Sequence, residues 1–398
     1  MEIQGATGVI NNTSGTADVA ATDAVRIASL RLGNQRDRIE TRNKTGTRSR
    51  NAGTAGRRRA PWSLDLDLNP SGVLGTAPDC FALLQSAFGQ AFSAGSGTAT
   101  ITGAADNGSG AIRLTATSHG LTTGDHVWVS AVTGTVEANG FWRVVVSDAN
   151  NFDLYGSVFA VTYVSGGTAK KSTIAWELSD ACVPMTLWDF VGVASAEQQA
   201  GVNLIPSVVR FVMGEDQLRL EAEGVGGWSL SNNGFAAAST TEKAGLTSFP
   251  SEPSSPVTNG GIIQGTIGAL VIDGINMSTV SRVVVTFNTG VVVDENDWNS
   301  NLPADFEADN RTVSIEITLK ETTGTAINNV KAKSLAGTPV DVWIRSGNTE
   351  GNAFGWFLEN VEFTPHERSD GERSMNVDLS GQATADAGSI NELAMFAG

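Results

Sequence analysis

At 398 residues the chain is long enough for two or three domains, each burying its own core. Its 45 glycines, 17% charged residues and 40% hydrophobic residues, with frequent Thr, Val and Asn, point to a folded protein rich in strands and turns. No run approaches the roughly 18 apolar residues of a membrane span, and the opening MEIQGATGVINNTSG has neither a basic nor an apolar signal segment, so folding in the cytosol without a membrane anchor is expected. Two cysteines, Cys80 and Cys182, and three histidines exclude a disulfide framework and a four-thiolate zinc site, and no cofactor is expected.

The net charge of −16 is unevenly spread. Between Arg26 and Arg59 there are 11 basic residues against two acidic ones, Asp37 and Glu40, so this stretch carries +9 and the remainder −25. Residues 33–60, GNQRDRIETRNKTGTRSRNAGTAGRRRA, are too polar and glycine-rich to fold alone and read as a basic loop. Such runs often meet nucleic acid or anionic lipid. Here the acidic remainder of another copy is an equally good partner, and a solvated loop without a fixed partner is the alternative.

Beyond the loop, WSLDLDLNPSG (62–72) alternates apolar and polar residues with the period of a half-buried strand, placing Leu64, Leu66 and Leu68 on one face. TAPDCFALLQSAFG follows as a helix. Thr76 or Asp79 can cap it, Pro78 suits its opening turn, Phe81, Leu84 and Phe88 form a stripe, and Gly89 can end it. Residues 98–171 hold five or six short strands punctuated by Gly, Asn and Asp turns and bounded by GSGT and SGGT, as in a small β-barrel. STIAWELSD (172–180) and IPSVVRFVMGEDQLRLEAEG (205–224) add a strand and a strand-turn-strand unit.

The second part of the chain repeats this series. The segment aligned with the basic loop, VVVDENDWNSNLPADFEADNR (291–311), is acidic through Asp294, Glu295, Asp297, Asp305, Glu307 and Asp309. VSIEITLKETTG (313–324) matches 62–72, with Ile315, Ile317 and Leu319 in place of the three leucines. TAINNVKAKSLAG reads as a second helix, with Thr325 as its cap, Ile327, Val330 and Leu335 roughly on one side, and Gly337 as its stop. VDVWIRSGN (340–348) matches 172–180 with Trp343 opposite Trp176, and 358–381 matches 205–224 with Val361 opposite Val208. The spacing between matched residues falls by 84 between the first strand pair and the Trp176 pair, which marks 98–171 as an insertion in the first copy.

Chemical motifs are missing from the sequence. There is no Gly-x-Ser-x-Gly elbow, phosphate loop, His-Glu-x-x-His or dinucleotide glycine fingerprint, and no enzymatic activity is expected. His119, Asp125 and His126 flank a glycine turn and lack a third firm ligand, so a turn is the better reading than a metal site. Asp65 and Asp67 are two apart on one strand face, an ordinary spacing. Trp62, Trp176, Trp188, Trp228 and Trp343 would bind sugar rings if clustered in a groove; core and interface packing is the expected role.

Two resemblances follow from these residues. HGLTTGDHVWVS, GTVEANGFWRVV and NNFDLYGS resemble the small β module found inside many phage tail and fibre proteins, which is related to a domain of ubiquitin-activating enzymes. This implies an add-on domain, not enzymatic activation. The basic loop leading into RRRAPWSLDLDLNPSG, the helix APDCFALLQSAFG and the ending FLENVEFTPHERSDGERSMNVDLSGQATADAGSINELAMF resemble the major tail tube proteins of long-tailed, non-contractile bacteriophages. The ending is the most specific feature, and together the three cover most of the chain outside the insert.

The resemblance implies a mainly β chain with two tandem tail-tube β-sandwich or barrel domains, each with a flanking α-helix. The first domain would span 1–97 and 172–235, with the small β-barrel module at 98–171 inserted in it. A linker at 236–259 would lead to a second domain at 260–398. Most members carry one such fold and form hexamers, so two copies imply a homotrimeric ring with pseudo-sixfold symmetry. Such rings stack into a hollow conduit for DNA ejection in the virion tail, after synthesis in the host cytoplasm. The implied partners are the chain itself, the tape measure protein and the tail terminator and tip proteins, with double-stranded DNA passing through unbound.

In that family a long loop between the second and third strands stacks the rings. It implies an inter-ring loop carrying Arg36, Arg38, Arg42, Lys44, Arg48, Arg50, Arg57, Arg58 and Arg59, which would face the acidic surface of Asp294, Glu295, Asp297, Asp305, Glu307 and Asp309. Asp65, Asp67 and Glu316 are candidates for a negative lumen wall that keeps the duplex from sticking. The module is expected on the outside, and its deletion is expected to leave tubes intact. The alternative is a tail-tip or fibre protein that binds the host surface through 98–171; a glycan hydrolase ranks third.

Overall fold

Apolar residues at every second position set most strands of the chain, since alternation puts one face in a core and the other in solvent. The computed structural model describes residues 2–5, 25–40, 53–171, 173–191, 197–214, 217–231, 263, 268–294, 305–322, 324–370, 375–385 and 391–398. It is mainly β, with two α-helices among the described residues.

The strands and helices that build its central body are, in chain order, β1 (Ser29–Leu32), β2 (Thr54–Asp67), α1 (Phe81–Phe88), β3 (Glu197–Met213), β4 (Leu218–Ser231), β5 (Val280–Asn288), β6 (Thr312–Lys320), α2 (Thr325–Ala336), β7 (Val340–Thr349), β8 (Asn352–Phe363), β9 (Glu367–Asp370), β10 (Met375–Ala383) and β11 (Leu393–Ala397). An antiparallel sheet runs β1-β2-β4-β3-β5-β6-β10 and ends on the second half of β8 together with β9. It curves as a half-barrel.

One face of this sheet lines a single core that includes Leu64, Leu66, Phe211, Leu220, Phe287 and Ile317. Each such side chain contributes about 1.5–3 kcal/mol by leaving water. A second layer, formed by β7, the first half of β8, β11 and the strands Ala269–Ile272 and Ile174–Glu177, closes the core from the other side with Leu270, Ile344, Trp356 and Met395.

Both helices end where expected, at Gly89 and Gly337, whose φ values of 77° and 60° lie in the left-handed region that favours glycine. Helix α1 inserts Leu83, Leu84 and Phe88 into the core, with the Phe88 ring 5.7 Å from Phe287. The expected caps differ. Cys80 precedes α1 and Gly324 precedes α2, neither with a side-chain cap; Thr325 is already helical. Asp79 is instead half-buried, with the backbone N–H groups of Arg26 and Cys80 favouring its charged form while its Oδ1 is enclosed without a hydrogen-bond partner among the described residues. Leu335 is 64% exposed and does not share the buried side of Ile327 and Val330, because α2 presents a narrower face than the sequence suggests.

Residues 98–170 form a separate seven-stranded sheet around their own core, which contains Ile112, Leu114, Val129, Val144, Phe152 and Leu154. The chain departs after α1 and returns to the same point. The Ser179 N–H donates to the Phe88 carbonyl at 2.9 Å, and Gln90 Nε2 donates to the Glu177 carbonyl at 2.8 Å.

Strand order repeats along the half-barrel, since β1-β2-β4-β3 is followed by β5-β6-β10-β8. The strand Met185–Val191 forms a hairpin with β3 as β7 does with β8. Met185 lies opposite Leu204 and Val340 opposite Val361, each beside a register shift, and Asn203 and Asn360 there adopt φ of 56° and 46°. Two sequence matches therefore move. The counterpart of Trp343 is Trp188, within Pro184-x-x-x-Trp188 and Pro339-x-x-x-Trp343, and the counterpart of Val361 is Leu204. Trp176 lies elsewhere, on a strand between β11 and Ser93–Ala94. Its resemblance to the β7 segment reflects only the alternation that any half-buried strand shares.

Candidate assembly surfaces

Two hairpins extend from equivalent strand pairs. Above β1 and β2, Gln35–Ile39 pairs with the start of β2, setting Arg36 opposite Arg58 and Gln35 opposite Arg59. Above β5 and β6, Val291–Asp294 pairs with Asp305–Ala308, setting Asp294 opposite Asp305 and Val292 opposite Glu307. Arg36 and Arg38 are exposed, Arg57, Arg58 and Arg59 are half-buried, and Arg59 lies 3.7 Å from Asp37. Glu307 and Asp309 are exposed. Arg42, Lys44, Arg48, Arg50, Glu295 and Asp297 lie outside the described residues, as do the side chains of Asp294 and Asp305.

A groove of about 580 Å³ separates the two hairpins, with Gln35, Arg59 and Pro61 on one wall and Val291, Val293 and Phe306 on the other. The described parts of the basic and acidic hairpins therefore lie on either side of one apolar-floored cleft.

The face of the half-barrel turned away from the core carries Asp65, Asp67 and Glu316 together, as alternation requires. Asp65 pairs with Arg219 at 2.7 Å, and Asp67 accepts from Gln217 Nε2 at 2.6 Å. Burial, and then the neighbouring Asp65 charge, raise the Asp67 pKa from its ordinary value. Glu316 is exposed. The face is not uniformly acidic. Arg210 stands opposite Glu221 on the adjacent strand, and Arg219 and Arg282 share the same face. Both signs occur because strand pairs stabilise themselves by cross-strand opposite charges.

The other candidate groups disperse. His119 Nε2 meets the Asp148 carbonyl at 2.9 Å, Asp125 pairs with Lys171 at 2.7 Å, and His126 Nδ1 meets the Gly124 carbonyl at 3.1 Å. Burial, and then Arg143, push the His126 pKa well below its ordinary value, which keeps the ring neutral. Among the described residues no group of three or more His, Cys, Asp or Glu side chains could hold a metal ion. Trp62 and Trp176 lie in the main core, and Trp343 lies in a second cluster with Trp128, Phe141, Phe357 and Phe396. The side chains of Trp188 and Trp228 are outside the described residues.

That second cluster went unread in the sequence. It joins the 98–170 sheet to β7, β8 and β11. A signal existed: AFGWFL in β8 is buried at every position, and an unbroken apolar run marks a strand covered on both faces.

No helix among the described residues is long and apolar enough to cross a membrane. No family model matches the chain, and no curated protein matches it.

Proposed function

We propose that the chain is the structural subunit of a phage tail tube, without enzymatic activity, and that three copies form a pseudo-hexameric ring whose stacking makes a hollow conduit for DNA. One observation carries this reading. The half-barrel consists of two four-strand sets in the same order, joined edge to edge where β3 residues 208–213 pair with β5 residues 288–283, and among the described residues no ladder joins β9 back to β1. A repeat that continues within the chain but does not close there supports closure by further copies. A closed sheet removes strand edges that would otherwise aggregate.

The arithmetic of such a ring is favourable. Three copies of eight strands give about 24 strands, which at ~4.8 Å spacing require a circumference of at least ~115 Å and a backbone diameter of at least ~37 Å. Inward side chains take ~5 Å from each side, half the usual sheet-to-sheet distance, leaving a bore of at least ~27 Å. That width passes a duplex with water around it. The mixed face bearing Asp65, Asp67, Glu316, Arg210 and Arg219 is the side we assign to this bore; Arg219 is paired with Asp65 and Arg210 stands opposite Glu221, which reduces the cations offered to phosphate.

In this reading the domains are 1–97 with 172–235, and 260–398, joined by 236–259, with 98–171 inserted in the first. The basic and acidic hairpins are the ring-stacking surfaces, and the protein resides in the virion tail beside tape measure, terminator and tip proteins. Electron microscopy of the purified protein, with mass measurement of dissociated rings, tests it. Uniform hollow tubes yielding three-chain rings are expected. Isolated trimers that bind cells without polymerising would favour the tail-tip or fibre reading instead.

A further inference from the structure

We propose that residues 98–171 act as a brace that fixes the β1–β4 half of the chain to the β5–β11 half, rather than as a dispensable appendage. The connections of this module begin and end beside α1, in the first half. Its body and one of its connections, however, are built into the second half. Ile174–Glu177 adds a strand to the outer sheet, pairing Ile174 with Ala397 and Glu177 with Ala394.

The module itself is seated on the outward side of that sheet. Phe141, fully buried, fits a socket left by two glycines: a Cβ on Gly355 would stand 3.0 Å from its ring, and one on Gly398 would stand 2.4 Å away. Gly156 makes similar room for Val271, which a Cβ would approach to 2.5 Å. The His126 ring stacks on Phe396 with centroids 3.4 Å apart, and the Arg143 guanidinium lies 3.7 Å from the centre of the Phe357 ring.

Polar contacts fix the register of the two surfaces. Arg345 Nη1 donates to the Phe141 carbonyl at 3.1 Å, the Gly274 N–H donates to Tyr155 Oη at 2.9 Å, and Lys170 pairs with Glu350 at 2.7 Å. A domain held only by flexible linkers gains nothing from desolvating two arginines, Arg143 and Arg345. Their placement over Phe357, Trp142 and Trp343 offsets that cost only when the surfaces stay together. For the ring, and resting on the tube reading above, the β3–β5 joint inside each chain gains the brace in addition to its ladder, so rings separate at the joints between chains first.

Hydrogen exchange on the dissociated full-length chain tests the brace independently of tube formation. In Phe141→Ala, peptides covering Leu393–Ala397 and Val340–Thr349 should exchange at least about tenfold faster, while β2 and β6 change little. Tyr155→Phe removes one hydrogen-bond partner and almost no volume, and should give a smaller rise in the outer-sheet peptides near Gly274. If Phe141→Ala does not fold, a chain in which 98–170 is replaced by a short Gly-Ser link gives the same readout. Unchanged exchange of the outer sheet in the module-deleted chain, or in Phe141→Ala with an intact module, overturns the proposal. Failure to form tubes with the exchange pattern as expected counts against the tube reading alone.

Discussion

Asp79 is the clearest case of a single residue setting a measurable property. Desolvation pushes its pKa up to about 6, against the pull of the Arg26 and Cys80 backbone N–H groups towards the charged form. An unfolded-chain Asp titrates near ~3.9, so the native state holds the proton to higher pH than the unfolded chain does. The native state is therefore favoured by this group below about pH 4 and loses about 2 to 3 kcal/mol as the pH rises through ~6. Thermal melts across pH should show that decline, and Asp79→Asn should remove it and melt higher at pH 7.5. Identical curves for both proteins would reject the assignment. In the sequence Asp79 reads as a helix cap; its environment depends on the distant Arg26 backbone reaching it, which no local pattern encodes.

At the scale of elements, alternation was legible wherever one face meets the core. Leu64 and Leu66 in β2 and Ile315, Ile317 and Leu319 in β6 are all buried, as their spacing predicts. Leu66→Ala should destabilise the chain by about 2–5 kcal/mol in denaturant titration, because the site is closed on every side. The hairpins were legible as charge and not as contact. Charges at such surfaces set register and suppress wrong partners more than they add affinity, and salt screens them. Reversing Arg57, Arg58 and Arg59 to Glu should shorten tubes and abolish the salt dependence of their length, as seen by electron microscopy. A variant with ordinary tubes and ordinary salt response would leave these arginines without a role in stacking. Trp176 illustrates the limit of pattern matching: a tryptophan in an alternating strand found the wrong counterpart, whereas the proline four residues before Trp188 and Trp343 marks the equivalent hairpins.

At the scale of the whole molecule, the half-barrel and the module answer different questions. In the proposed tube the strand order of the half-barrel would make one chain a fraction of a closed sheet, and the mass of a dissociated ring tests whether that fraction is one third. The module, expected as an add-on on the outside of the tube, is in close contact with the outer sheet, through residues as distant in sequence as Phe141 and Gly398. Deletion of 98–171 is accordingly expected to loosen the chain rather than leave it untouched.

Composition and period were enough to identify a mainly β chain, its two helix stops at Gly89 and Gly337 and the segregation of charge between 33–60 and 291–311, although 33–60 read as a loop and contains the strand Gln35–Ile39 and the start of β2. All of these depend on neighbours within a few residues, where backbone preference and solvent exposure act directly. The socket around Phe141, the desolvated carboxyl of Asp79, the arginines among the carboxylates of the open face and the true partners of the repeated hairpins were decided by tertiary structure. Each depends on which distant surfaces exclude water together, and a one-dimensional pattern shows that a face is apolar without showing what covers it.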